Sequence, residues 1–208
     1  MSDHRMTTWA MVTATALVLS AVPITARAQS DVFAVNYFDK IGGDLDSSVR
    51  ITNPGTNGAP SPSGDLCALL YVFRPDQQLA ECCGCPVTPN GLRTISVRGD
   101  LTSNPLTSDP LPEGVIKLVS STGTVATDMW GHRSLKCDAA APSPTPALIA
   151  WGTHVQDSRA ITETAFEKAT LSAQELSVLT DLCGDIRDNG SGHGVCHCGV
   201  EPNDGSGK

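Results

Sequence analysis

Eight cysteines constrain the fold of this 208-residue chain more than any other feature. An even number of cysteines in an exported chain predicts a disulfide framework, because such bonds persist only outside the reducing cytosol. The sequence alone leaves the pairing open. If residues 81–83 are extended, Cys82 and Cys83 point to opposite faces of the strand and need different partners. The candidate disulfide cysteines are Cys67, Cys82, Cys83, Cys85, Cys137, Cys183, Cys196 and Cys198.

The first 28 residues have the three-part pattern of a secretory signal peptide. His4 and Arg5 precede an uncharged, largely apolar run over residues 9–24, and Ala26-Arg27-Ala28 matches a cleavage site. The run is too short for a membrane anchor, since spanning a bilayer requires roughly 20 apolar residues. We therefore expect cleavage near Ala28, no membrane span in the mature chain, and a secreted, periplasmic or cell-surface location.

The excess of acidic over basic residues narrows the classes of partner that the protein could bind. The whole chain has a formal net charge of -8, and loss of residues 1–28 changes this to -9. Such a surface repels phosphate backbones and anionic lipid. We expect no nucleic-acid partner, and the partner class that remains is an unknown protein or a cell-surface ligand.

Short apolar runs separated by turn residues predict a mostly β fold over residues 29–155. The segment Leu66–Phe73 is apolar on both faces, which is typical of a central strand covered on both sides. The spacing of strands and turns predicts an antiparallel immunoglobulin-like β-sandwich, with a small barrel as the alternative. Further strands are predicted around Phe33–Tyr37, Val49–Ile51, Ile95–Val97, Gly114–Ser120, Thr124–Trp130 and Ala147–Val155.

The C-terminal part, residues 156–208, predicts one amphipathic helix and a cysteine-rich tail. A proline-rich connector, residues 139–146, comes before this part, and one more strand after the connector returns to the sandwich. Ser172 and Glu175 match a capping box, and Asn189-Gly190 provides a stop. We expect the helix to pack on the edge or open end of the sandwich, with Cys183 buried and joined to Cys196 or Cys198.

A metal site is the alternative use of the cysteines. Two clusters, residues 82–85 and 193–198, combine thiols and imidazoles that a zinc or copper ion could share. The same Cys82-x-x-Cys85 pair also suggests thiol redox chemistry, but Pro86 follows it and favours a turn over the required helix. Disulfides are favoured because exported thiols oxidise before they bind metal. The alternative ligands are Cys82, Cys85, His193, Cys196, His197 and Cys198.

No motif in the chain predicts catalytic residues. Ser191 lacks the glycine frame of a nucleophile elbow. The strings Trp130-Gly131-His132 and Trp151-Gly152-Thr153-His154 are interpreted as packing aromatic residues beside exposed imidazoles. Asp44, Asp46, Asp185 and Asp188 do not match a calcium loop and are interpreted as solvated turn carboxylates.

Several strings resemble those of a group of uncharacterised exported bacterial proteins with an immunoglobulin-like β-sandwich. The resemblance covers most of the chain after residue 28. It implies export and a single architecture, and it carries no known activity and no catalytic residues. The strings that carry it are Val49–Gly55, Cys67–Phe73, Glu81–Pro86, Leu148–Trp151 and Ser191–Cys196.

The sequence therefore predicts a secreted or surface-associated, non-catalytic β-sandwich protein with a structural or binding role and no cofactor. The alternative is a zinc- or copper-binding or thiol-redox protein that uses the two cysteine and histidine clusters.

Overall fold

A computed structural model describes residues 31–39, 45–107, 109, 111–156 and 160–199. The predicted signal peptide lies outside these residues. The described chain is mostly β with one C-terminal helix, as predicted. Its strands are β1 Phe33–Asp39, β2 Ser48–Thr52, β3 Leu66–Phe73, β4 Leu79–Val87, β5 Leu92–Ser96, β6 Glu113–Thr122, β7 Thr124–Thr127, β8 Arg133–Lys136, β9 Ser143–Pro144, β10 Ile149–Val155, β11 Ile161–Ala165 and β12 Glu167–Lys168, and the helix is α1 Ala173–Asn189.

The strands form two main sheets and one separate hairpin. The larger sheet has the order β12-β1-β6-β3-β4, with β9 added beside β6. The smaller sheet has the order β11-β10-β2-β5, and β7 pairs only with β8. The pairs between these strands are antiparallel. The immunoglobulin-like type of sandwich stays a prediction.

The larger sheet is covered on both faces. Alternate side chains of β3, including Leu70, join one apolar core with Val49 and Ile95 of the smaller sheet. The other β3 side chains, including Tyr71, join a second core with Leu179 of α1. All eight residues of β3 are buried, which confirms the predicted central strand. The layers are therefore the smaller sheet, the larger sheet and the helix.

Helix α1 begins and ends where its sequence signals indicate. The Ser172 hydroxyl accepts a hydrogen bond from the Glu175 amide at 3.0 Å, as an N-cap residue does. Gly190 follows the last helical residue. The apolar stripe of α1 lies on the outer face of the larger sheet, where the helix packs mainly against the edge strand β4. The ammonium of Lys117 on β6 fixes this position by donating to Glu175 Oε1 at 2.6 Å.

Several strand ends also differ from the predictions. Strand β4 continues through Pro86 to Val87, where a turn was expected. An edge position tolerates proline, because the missing N–H can face away from the neighbouring strand. The strand predicted over Ile95–Val97 ends at Ser96 in a short helical turn, and the one predicted over Thr124–Trp130 ends at Thr127.

The proline-rich connector runs within the β fold. Its residues Ser143 and Pro144 form β9 on the larger sheet. The strand after it, β10, pairs with β2 of the smaller sheet, as expected. In the described part of the chain, no helix is long and apolar enough to cross a membrane.

Candidate functional site

All eight cysteines form disulfides, which confirms the predicted framework. The predicted bridge from Cys183 to Cys196 or Cys198 was wrong. Cys183 lies over the outer face of the larger sheet, where Cys82 of β4 points, and the two tail cysteines lie on the other side of that strand. The bridges are Cys67–Cys137, Cys82–Cys183, Cys83–Cys196 and Cys85–Cys198.

Strand alternation explains why β4 binds both the helix and the tail. Cys82 points to the helix layer, and Cys83 and Cys85 point into the core between the sheets. The two neighbouring cysteines therefore have different partners on opposite faces, as the sequence predicts. Cys83 and Cys85 are two residues apart, so their bridges to the tail form adjacent cross-links.

The tail closes one edge of the sandwich. The amide of Cys82 donates to the Gly194 carbonyl at 2.9 Å, and the Cys196 amide donates to the Cys82 carbonyl at 3.3 Å. On the smaller sheet, the buried Arg93 guanidinium of β5 donates to the Cys198 carbonyl at 2.8 Å. An edge strand exposes unpaired backbone groups that can pair with other chains. The tail pairs with the backbone of Cys82 at this edge and is held there by two bridges.

Of the predicted metal ligands, Cys85 and Cys198 are brought together, and Cys83, which was not among them, joins the group. Three sulfurs, those of Cys83, Cys85 and Cys198, lie within 4.8 Å of one another, and the group could hold a metal ion. They do not fit one as they stand, because each sulfur is in a disulfide and a metal ligand is a free thiolate. Cys82 is bridged on the other face of β4. His193 Nδ1 lies 3.0 Å from Asn104 Oδ1.

The two Trp-Gly-containing strings occupy different surroundings. Trp130 is 78% exposed on the β7–β8 turn, and His154 is fully buried, with its ring stacked on Tyr37 at 4.2 Å. The prediction of packed tryptophans beside exposed imidazoles was therefore wrong for Trp130 and for His154. It holds for the exposed His132.

His154 lies beside a hydroxyl and a carboxylate. Its Nε2 lies 2.8 Å from Thr164 Oγ1, which also accepts from the Asn36 amide at 3.2 Å. Burial lowers the pKa of His154, against the raising effect of the Asp39 carboxylate. Among the described residues, His154 Nδ1 has no hydrogen-bond partner. A catalytic triad requires a carboxylate bonded at that nitrogen, so the arrangement is not a triad.

The three described carboxylates that were interpreted as solvated turn residues are exposed, and of these Asp46 lies in a loop. Asp46 accepts hydrogen bonds from the Ser96 hydroxyl and from the Arg98 amide. Asp185 and Asp188 are exposed on the last turns of α1, and Asp44 lies outside the described residues.

The β7–β8 turn presents two large apolar side chains to solvent. Met129 is 89% exposed and Trp130 is 78% exposed. The turn is ordered by Asp128, whose Oδ1 accepts from the amides of Trp130 and His132, each at 2.8 Å. Slight desolvation raises the pKa of Asp128, but these hydrogen bonds and the His132 side chain lower it overall. We call residues 128–132 the hairpin tip.

The hairpin is also fixed at its base. Cys137 directly follows β8 and is bridged to Cys67 near the start of the central strand β3. The tip is therefore held by a covalent link at one end and a hydrogen-bonded turn at the other. This exposed turn was not predicted from the sequence. The signal was an aspartate and a glycine enclosing Met129 and Trp130, since such residues form turns and turns are exposed.

A groove of about 510 Å³ lies at the other end of β3. It is bounded by the β3–β4 turn, by Leu106 and by the last turns of α1. Four of its side chains are apolar, and Asp185 is its charged residue. Pockets of this size accept small ligands or protruding side chains. The apolar residues of the groove are Leu79, Leu106, Leu182 and Ile186.

Comparisons with protein-family models, with curated proteins and with solved structures found no match to this chain.

Proposed function

We propose that this protein is exported and acts outside the cytosol as a non-catalytic β-sandwich, of immunoglobulin-like type, with a structural or binding role. The observation that carries the proposal is the complete pairing of its cysteines. Four bridges join the tail, the helix and the hairpin to the two strands β3 and β4. A framework of this density is useful where thiols oxidise and where no chaperone rescues an unfolded chain.

The exposed hairpin tip supports a binding role. A rigid turn that exposes a tryptophan and a methionine gains nothing for folding, because both side chains lie outside the two cores. Exposed aromatic residues on a fixed scaffold are typical of interaction sites. The proposed partner class is an unknown protein or cell-surface ligand.

The test is to express the full chain in a host with an oxidising export compartment and to analyse the recovered protein. We expect the exported protein to begin at Gln29 and to react with no thiol reagent after unfolding. The matched control carries Leu17→Arg in the apolar run of the expected signal peptide, and it should remain in the cytosol with residue 1 or 2 at its N-terminus. Retention of residues 1–28 in the exported form, or several free thiols, would contradict the proposal.

Metal binding is the second candidate function, and one observation favours it. The sulfurs of Cys83, Cys85 and Cys198 are already close enough to share an ion, and the sulfur of Cys196 is bonded to that of Cys83. Reduction of two bridges by a dithiol would release four thiols, which is the donor set of a tetrahedral zinc site. The proposed ligands are then Cys83, Cys85, Cys196 and Cys198, and His193 and His197 are not required.

The two candidates are separated by adding zinc or monovalent copper to the purified protein before and after reduction. Under the first proposal, the oxidised protein binds no ion tightly. Stoichiometric binding by protein that has never been oxidised, lost in the Cys85→Ala/Cys198→Ala variant, would favour the metal site.

A further inference from the structure

We propose that the protein self-associates head to tail, with the hairpin tip of one copy inserted into the groove of the next. The proposal rests on the structural or binding role proposed above and names a second copy of this chain as the partner. The two surfaces differ, so the contact is heterologous and can extend beyond a dimer.

The shape of the two surfaces supports this pairing. The tip offers Met129 and Trp130, the two most exposed of the large apolar side chains described. The groove offers an apolar lining and a volume of about 510 Å³. Tryptophan and methionine are enriched in the buried centres of protein interfaces, where they fill pockets. An inserted tip would cover Leu106, which is 43% exposed in the single chain.

The charges of the two surfaces are complementary. Arg133 and Lys136 follow the tip on β8, and neither forms an ion pair with another residue in the described part of the chain. The groove carries Asp185 and is lined by Asn189 and Gly190 at the C-terminus of α1. A helix C-terminus has a partial negative charge from its last carbonyls. Arg133 lies next to the tip, paired with Thr127, and Lys136 lies at the base of the hairpin, paired with Thr124. The carboxylate of Asp128 in the tip is hydrogen-bonded to His132 and the turn amides.

In the single chain the tip does not occupy the groove, so both surfaces are open to a second copy. The base of the hairpin is fixed at the Cys67 end of β3, and the groove lies beyond Phe73 at its other end. Eight strand residues separate the ends by roughly 25 Å. The hairpin base also reaches α1 beside the groove, where Asp138 pairs with Arg187. The exposure of Met129 and Trp130, and not distance, therefore shows that the tip lies outside its own groove.

A contact made by one tip and one groove is small, so the association should be weak and depend on concentration. Sedimentation equilibrium of the purified, oxidised chain should show a weight-average mass that rises steadily with protein concentration and passes that of a dimer. Added salt should reduce it, because the charged groups lie at the rim. A mass that stays at one copy up to about 1 mM, or that levels off at two copies, would overturn the proposal.

Two exposed-site variants give a sharper test. Met129→Ser/Trp130→Ser removes the tip and keeps the groove, and Leu106→Lys/Asp185→Lys blocks the groove and keeps the tip. Each alone should weaken self-association at least about thirtyfold, the effect of losing one interface hot spot. The control Ile161→Ser removes an apolar side chain that is 60% exposed on β11, and it should leave the association unchanged.

Mixing the two variants distinguishes this arrangement from every symmetric one. The intact tip of the groove variant fits the intact groove of the tip variant, so the mixture should form pairs that cannot extend. A mixture that stays monomeric although the wild type associates would overturn the proposal. Association that is lost in the tip variant and kept in the groove variant would also overturn the proposal. That outcome is expected if tips pack on each other or on an unrelated surface.

The same samples separate failure of this proposal from failure of the proposed function. A folded monomer with four bridges contradicts self-association and leaves the exported, disulfide-linked role standing. Free thiols contradict that role, whatever the state of association.

Discussion

We call Cys83–Cys196 and Cys85–Cys198 the tail bridges. Deleting one of them should lower the free energy of unfolding much less than deleting both. With Cys82–Cys183 in place, the first bridge from β4 to the tail closes a circuit of about 15 residues, which is worth about 3 kcal/mol. The second bridge closes only a ring of about six further residues and adds about 2 kcal/mol. Either bridge replaces only about a third of the other's contribution, although both hold the same tail on the same strand.

We therefore expect Cys85→Ala/Cys198→Ala, or Cys83→Ala/Cys196→Ala, to lower the free energy of unfolding by about 2 kcal/mol. The variant that lacks both bridges should lose about 5 kcal/mol. The control Cys67→Ala/Cys137→Ala opens a larger circuit, which has about 60 residues with Cys82–Cys183 in place. This single deletion should cost about 4 kcal/mol, twice the effect of one tail bridge.

The assay is guanidinium unfolding without reductant, with the slope fitted for each variant because fewer cross-links expand the unfolded chain. The reasoning is refuted if one tail bridge costs as much as both. It is also refuted if the loss of both costs less than about 1 kcal/mol, which would mean that the tail does not stabilise the sandwich.

Three further predictions concern buried groups. Because burial lowers the pKa of His154 below 6.5, the unfolded chain binds a proton that the folded chain resists, so stability should fall as pH drops below about 6.5. His154→Gln should flatten this slope in unfolding experiments between about pH 5 and 7.5, and an unchanged slope would show that another group causes it. The side-chain amide of Asn53, a residue that is 1% exposed, donates to the carbonyls of Gly64 and Val87 at 2.9 and 3.0 Å. Asn53→Ala should therefore lower the free energy of unfolding in denaturant by about 3 kcal/mol. A loss below about 1 kcal/mol would show that these hydrogen bonds do not stabilise the fold. A Cβ on Gly84 would lie 2.7 Å from the Cys137 carbonyl carbon, so Gly84→Ala should lower the melting temperature by several degrees, and an unchanged melting temperature would show that the backbone there can move.

Local patterns predicted the elements of this fold well. The eight apolar residues of β3 indicated a strand covered on both sides, and the structure places it between two cores. Alternation along a strand correctly separated the partners of Cys82 and Cys83. The capping serine and the terminal glycine gave the bounds of α1. These features depend on a few neighbouring residues, so they are readable from the chain.

The arrangement of the elements was not readable in the same way. The apolar stripe of α1 shows that one face is buried and does not show against what. The helix was therefore expected at the edge or open end of the sandwich without a named partner strand, and its Cys183 was paired with the tail. The true partner, Cys82, is 101 residues away in the chain. Contacts over such separations follow from how the sheets pack.

The candidate binding surfaces were missed for the same reason. Trp130 was taken for a packed residue because aromatic residues are usually buried. Its exposure follows from the turn that Asp128 holds together. The groove combines the β3–β4 turn, Leu106 and α1, which only the tertiary structure brings side by side.

Cross-linking of an exported β-sandwich by its cysteines is tested by the intact mass of the exported protein without reductant, followed by mapping of its cross-linked peptides. We expect a mass lower by eight hydrogens than that of the reduced chain. The expected linked pairs are Cys67–Cys137, Cys82–Cys183, Cys83–Cys196 and Cys85–Cys198. A mass equal to that of the reduced chain, or one that includes a bound zinc or copper ion, would contradict this cross-linking.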